Sequence, residues 1–117
     1  MTNGIYTVEF HASTQLMGKG IAVVRNGFIH GGDFGYLYLG TLEVSGDSLT
    51  ASIRVEKHDA AHISVMGPIS NFDLNLSGMF KPGADSFNLN GQSPQIPGQQ
   101  IQISGIKKHD LAQGSEA

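Results

Sequence analysis

The sequence predicts an all-β protein, an eight-stranded antiparallel up-and-down barrel. Three observations carry that prediction. Eight short segments alternate apolar and polar residues or run apolar, and most are bounded by Gly, Pro, Asn, Asp or Ser. Sixteen glycines, with few Ala, Glu and Lys, suit strands and tight turns better than helices. An Asn26-Gly27 pair lies between two apolar runs, which is the strongest short-range hairpin signal. Regular short strands of this kind form a closed meander or a sandwich. Eight strands enclose an interior just wide enough to fill with side chains or to hold one small ligand.

The first strand is GIYTVEFH, 4–11, with Tyr6, Val8 and Phe10 on one face and Thr7, Glu9 and His11 on the other. The second is MGKGIAVVR, 17–25, where Gly18 and Gly20 suggest a bulge or a close approach of another segment. The Asn26-Gly27 turn pairs Arg25 with Phe28, Val24 with Ile29 and Val23 with His30. A very short third strand, Phe28 to His30, then stops at a second turn through Gly31, Gly32 and Asp33. The fourth is 35–44, with Tyr36, Tyr38, Leu42 and Val44 on one side and Leu37 and Leu39 on the other. After the SGD turn, the fifth strand at 48–58 points Leu49, Ala51, Ile53 and Val55 inward and Thr50, Ser52, Arg54 and Glu56 outward. The stretch 59–69 fits either a loop or a short helical turn and ends at Gly67-Pro68. The sixth strand, 70–78, points Phe72, Leu74 and Leu76 inward. KPGAD at 81–85 turns into the seventh, 86–91, with Phe87 and Leu89 inward. The eighth, 100–107, carries Ile101 and Ile103 on one face, and residues 108–117 are predicted to fray.

At 117 residues the chain makes one domain with a core of its own. It has no cysteine, which excludes a disulfide framework, a thiolate metal site and a cysteine nucleophile, and fits a reducing cytoplasm. A net charge of −3 with seven Lys and Arg is too little to neutralise several phosphates, so nucleic acid is not an expected partner. No apolar run approaches a bilayer span and no secretory signal precedes the first strand, so a membrane is not expected either.

No catalytic array emerges. His58 and His62, four apart with Asp59 between, have a metal-ligand spacing only on a helix, and the segment reads as a strand end and loop. GKG at 18–20 and GGD at 31–33 lack the following helix that a phosphate cradle needs. Asp33 is placed to bond its own backbone after a tight turn. Ser13, Ser45 and Ser104 lack a nucleophile elbow. A non-enzymatic protein without metal or cofactor is the expectation.

The informative feature is that strands two to four are apolar on both faces, whereas a barrel wall needs one. Ile21, Val23 and Phe28, with Arg25 and His30, share a face with Leu37 and Leu39, and this second face needs a cover. A second copy of the chain, another protein, or a folded-over segment would supply it. The opposite face gives the interior, with Tyr6, Val8, Phe10, Ile53, Phe72, Leu74 and Phe87 either filling it or lining a pocket for a small apolar ligand.

The order GIY (4–6), GKG (18–20), NG (26–27), GGD (31–33) and YLYLG (36–40) resembles the small negative regulators of type III secretion of the GrlR type, over about residues 3–56. The resemblance implies a lipocalin-like barrel, a homodimer, no enzymatic activity, and a role in binding and inhibiting a transcriptional activator. It also implies an activator contact through an acidic turn after the YLYLG strand. Here that turn reads EVSGDS and offers Glu43 and Asp47.

Overall fold

A computed structural model of the chain describes residues 2–13, 17–61, 70–81, 83 and 85–112. It contains eight strands: β1 Gly4–Ala12, β2 Met17–Arg25, β3 Phe28–Gly32, β4 Tyr36–Ser45, β5 Ser48–Lys57, β6 Asn71–Lys81, β7 Ser86–Gln92 and β8 Gln100–His109. Each pairs antiparallel with its neighbour in sequence, and β1 pairs with β8 to close the barrel. The all-β, eight-stranded up-and-down barrel read from the sequence is the fold.

Local chemistry sets the register. Asn26 and Gly27 both have positive φ, 52° and 82°, as a two-residue I′ turn requires. The pairs Arg25–Phe28, Val24–Ile29 and Val23–His30 follow as the sequence predicts. Four differences have physical causes. β3 does not stop at His30, because Gly31 and Gly32 stay paired with Tyr38 and Leu37, and the turn falls at 33–35. β6 runs on to Lys81, carried by Met79 and Phe80 pairing with Asn88 and Phe87. β8 continues to His109, since Lys107 and His109 still pair with β1, so fraying does not begin at 108. The β1–β2 ladder is unbroken at Gly18 and Gly20, so no bulge exists there. Close approach is the reason for Gly20: a Cβ at that position would sit 2.7 Å from the Tyr38 hydroxyl. Of the ambiguous 59–69 stretch, Ala60 and Ala61 form a turn, and residues 62–69, with His62, lie outside the described residues.

Alternation puts one face of every strand inside. Tyr6, Val8, Val24, Ile29, Tyr36, Tyr38, Leu49, Val55, Phe72, Leu74, Leu76, Phe87, Leu89, Ile101 and Ile103 are buried in a single cluster. Each large side chain of this kind contributes roughly 1.5–3 kcal/mol by leaving water. Val44 has inward parity but is exposed. The β3–β4 ladder begins at the Phe28–Thr41 pair and the Leu42 amide still bonds the Gly27 carbonyl, so among the described residues the tip of β4 projects past β3 only beyond Leu42.

The two ends of the barrel differ. At one end the N-terminal residues lace across the turns. Asn3 and Asn26 exchange hydrogen bonds, the Tyr6 hydroxyl donates to the Thr2 carbonyl at 2.7 Å, and Lys107 Nζ donates to Thr2 Oγ1 at 3.1 Å. The other end carries the β3–β4 loop, the start of β2 and the 93–99 loop, where buried Ser93 bonds Gln95 and Ile96 packs on the core.

Candidate functional site

Two features stand apart from an ordinary barrel wall, and both follow from the pairing just described.

The first is outside. Cross-strand neighbours share a face, so Arg25–Phe28–Thr41, Val23–His30–Leu39 and Ile21–Gly32–Leu37 form three adjacent rows across β2, β3 and β4. Ile21, Phe28, His30, Leu37 and Leu39 are exposed, while Val23 and Arg25 are half-buried. All seven residues predicted for a second apolar face therefore lie together on the outer surface. Closure of the barrel adds two residues that sequence reasoning missed. Ile5 of β1 pairs with Val23, and Ile106 of β8, itself exposed, pairs with Thr7 beside Ile21. Only their outward parity hints at this, because the β1–β8 register is invisible in the chain. The strip ends in charge: Arg54, next to Leu39, contacts Asp73 at 3.3 Å and Glu56 at 3.8 Å. Such exposed pairs add little stability, but they draw a polar border.

The second feature is inside. The barrel encloses a cavity of about 270 Å³. Of the seven residues predicted to line a pocket, Val8, Phe10, Ile53, Phe72, Leu74 and Phe87 do so. Tyr6 does not. It is wholly buried at the laced end, its ring 5.9 Å from that of Phe87, and it plugs the space there. The described side chains therefore do not fill the interior, and the small Ala22 and Ala51 are among those that line it.

The mouth lies at the opposite end, among Met17, Lys19, Asp33 and Phe34. Asp33 organises it. Its Oδ1 accepts hydrogen bonds from the amides of Gly35 at 2.9 Å and Tyr36 at 2.8 Å, the self-bonding turn its position predicts. Its Oδ2 accepts a hydrogen bond from the Tyr38 hydroxyl. Burial first, then that hydrogen bond and the Asp33 charge, hold the Tyr38 phenol far above its ordinary pKa. Phe10 packs edge-on against Tyr38 at 5.3 Å. The loop is also tied to the end of β5. His58 Nε2 lies 2.9 Å from the Asp33 carbonyl oxygen, and the Gly35 carbonyl accepts from the His58 amide at 2.8 Å. His58 thus serves the loop, and Asp59 Oδ1 accepts from the Ala61 amide. Among the described residues no three His, Asp or Glu side chains converge to hold a metal. Phe34, held on this tied loop, is 86 % exposed beside the cavity.

The acidic turn sits elsewhere. Glu43 and Asp47 are exposed on the projecting β4–β5 hairpin, where the Asp47 carbonyl accepts from the Phe80 amide at 3.1 Å. The β4–β5 connection belongs to the laced end, away from the mouth.

With this geometry in place, comparison with known families is decisive. The sequence model described as "T3SS negative regulator, GrlR" matches residues 1–111. The chain belongs to the GrlR family. No curated protein matches it. The GrlR match covers all eight strands, so the resemblance seen over about residues 3–56 extends through the second half, where only strand pattern had suggested it. The GrlR description is that of a regulator and names no reaction. In this GrlR-family barrel the cavity lies inside, while the outer strip and Glu43 share the outward face of β4. No helix among the described residues is long and apolar enough to cross a membrane.

Proposed function

We propose that this GrlR-family barrel is a cytoplasmic homodimer that regulates by binding and sequestering a transcriptional activator, not by catalysis. The observation that carries this reading is the outer strip. Ile21, Phe28, Leu37 and Leu39 are each more than a third exposed on one continuous face. An isolated barrel has no use for contiguous apolar surface of this kind, and a two-fold partner covers it with the same patch. The exposed Glu43 and Asp47 then remain outside the dimer contact, where a basic activator can reach them. Family membership supports the regulatory role, and the lack of cysteine suits a reducing compartment.

The test is capture of a DNA-binding regulator from the source cell on immobilised protein, run beside sedimentation. A dimer that retains such a regulator, and releases it when Glu43 and Asp47 are both changed to Lys, is the expected result. A monomer that retains no protein refutes the reading.

A second reading rests on a separate observation, the open cavity. A lipocalin-like carrier needs a dry interior with one mouth, and the barrel is plugged by Tyr6 at one end and lined by Met17 and Phe34 at the other. An engineered apolar cavity of about 150 Å³ already takes up benzene, so this interior suits an apolar molecule somewhat larger than that. Uptake of a neutral fluorescent hydrophobe, blocked by Ala51→Phe, supports the carrier; no uptake by the wild-type protein refutes it.

A further inference from the structure

Among the described lining residues, the polar side chains are Lys19, Asp33, Tyr36 and Tyr38, with the remainder apolar or glycine. A ligand must therefore place an apolar body inside and any polar group at the mouth, because a polar group deep in the barrel finds no partner.

The mouth offers acceptors more than donors. An ionised carboxylate has about four acceptor sites. Three at Asp33 are filled, by the amides of Gly35 and Tyr36 and by the Tyr38 hydroxyl. Among the described residues no second donor reaches Oδ2, which leaves one site there. The Tyr38 oxygen, having spent its proton on Asp33, presents only lone pairs. The raised proton affinity of that phenol keeps the arrangement fixed at neutral pH. The nearest cations point elsewhere. Lys19 is 77 % exposed on the rim and lies 3.8 Å from Glu9, and Lys57 sits over the Tyr36 ring at 5.8 Å without lining the cavity. Among the described residues the charge held inside the mouth is thus the Asp33 carboxylate, with Lys19 out on the rim, and the tied β3–β4 loop holds it there.

We propose that the barrel binds an apolar amine, with its body in the cavity and its protonated nitrogen at Asp33 and Tyr38, and that the same pair excludes fatty carboxylates. The inference rests on the carrier reading and adds the class of ligand to it. A charge-assisted hydrogen bond in a poorly solvated site is a strong one, whereas a carboxylate at that spot meets the Asp33 charge, and neither Asp33 nor Tyr38 has a donor left to offer it.

The experiment uses the whole chain and displaces the neutral probe N-phenyl-1-naphthylamine with dodecylamine, dodecanol and dodecanoate, the two ionic ones below their micelle concentrations and the alcohol below its solubility limit. The expected order is amine, then alcohol, then carboxylate, with at least about a tenfold gap between the first and last. Asp33→Asn keeps an oxygen for the two loop amides and removes the charge, so the amine falls to within about threefold of the alcohol. Dodecanoate binding as tightly as dodecylamine overturns the proposal, and so does an amine preference that survives Asp33→Asn. If Asp33→Asn does not fold, the wild-type order alone decides. Failure of the neutral probe to bind at all removes the carrier reading, and this inference with it; probe binding with the wrong order removes only this inference.

Discussion

Replacing Phe28 by Asp tests the proposed dimer face most sharply. In the isolated barrel Phe28 is 54 % exposed. Full burial of a phenylalanine contributes about 2–3 kcal/mol, so covering the exposed half contributes about 1–1.5 kcal/mol per protomer. A two-fold interface uses the residue twice, giving about 2–3 kcal/mol. Burying a carboxylate in its place costs several kcal/mol more, because the desolvation of the charge is not repaid by a neighbouring Arg25. Together the dimer loses at least roughly 4 kcal/mol, about a thousandfold in dissociation constant. The fold itself should tolerate the change. Position 28 stands opposite Arg25, so the new carboxylate gains a cross-strand partner of opposite charge in the monomer. Sedimentation equilibrium over a range of concentrations reads the association, and urea unfolding reads the barrel. The expected outcome is a monomer that unfolds within about 1.5 kcal/mol of the wild type. Unchanged association refutes the face assignment. A protein that no longer folds shows Phe28 to be core and the two faces to be reversed.

Other substitutions test the remaining features. Ala51→Phe should abolish uptake of a neutral hydrophobe while leaving the dimer intact, because the new ring fills empty volume instead of overpacking a full core; calorimetry with and without probe checks this. Gly105→Ala should destabilise the barrel by about 1–3 kcal/mol, measured by urea unfolding, since its Cβ would lie 2.2 Å from the ring of Phe87. The Tyr38 phenol ionises far less readily in the folded barrel than in the unfolded chain. Its contribution is therefore complete below the unfolded phenol value near 10 and is lost as pH rises above it, at up to about 1.4 kcal/mol per pH unit. Tyr38→Phe should remove that part of the alkaline slope in urea titrations between about pH 9.5 and 11.

The parts of the fold legible in the sequence are those governed by local rules. Asn26-Gly27 dictates its turn and hence the β2–β3 register, and period-two alternation in β5 and β6 separates wall from surface. Boundaries were less legible where glycines stayed in a ladder: Gly31 and Gly32 look like a turn by composition, yet their backbone pairs with β4. The outer strip was readable because two apolar faces on one strand are visible without knowing the partner strand. Its extension to Ile5 and Ile106 was not, because that needs the closing pair. The cavity mouth was hidden for a similar reason. Tyr38 reads as one more inward aromatic, and its bond to Asp33 depends on how tightly the 33–35 turn folds. The absence of a side chain at Gly20 is the one trace, and it makes sense only once the Tyr38 hydroxyl is seen against it.

The β1–β8 pairing has a consequence for how the protein is made. Ile5 pairs with His109 and Ala12 with Ile101, partners some ninety to a hundred residues apart in the chain. Closing so long a loop carries an entropic cost that no earlier hairpin shares, and ladders of distant partners form slowly. During synthesis β1 to β4 leave the ribosome well before β8, and the β2–β3–β4 meander, apolar on both sides, waits for it. For that interval the future interior and the outer strip are both in water, which is the condition under which chains aggregate. A second copy folding nearby, able to cover the strip early, would shorten that exposure. Yield from dilute and concentrated refolding should then rise with concentration before aggregation lowers it.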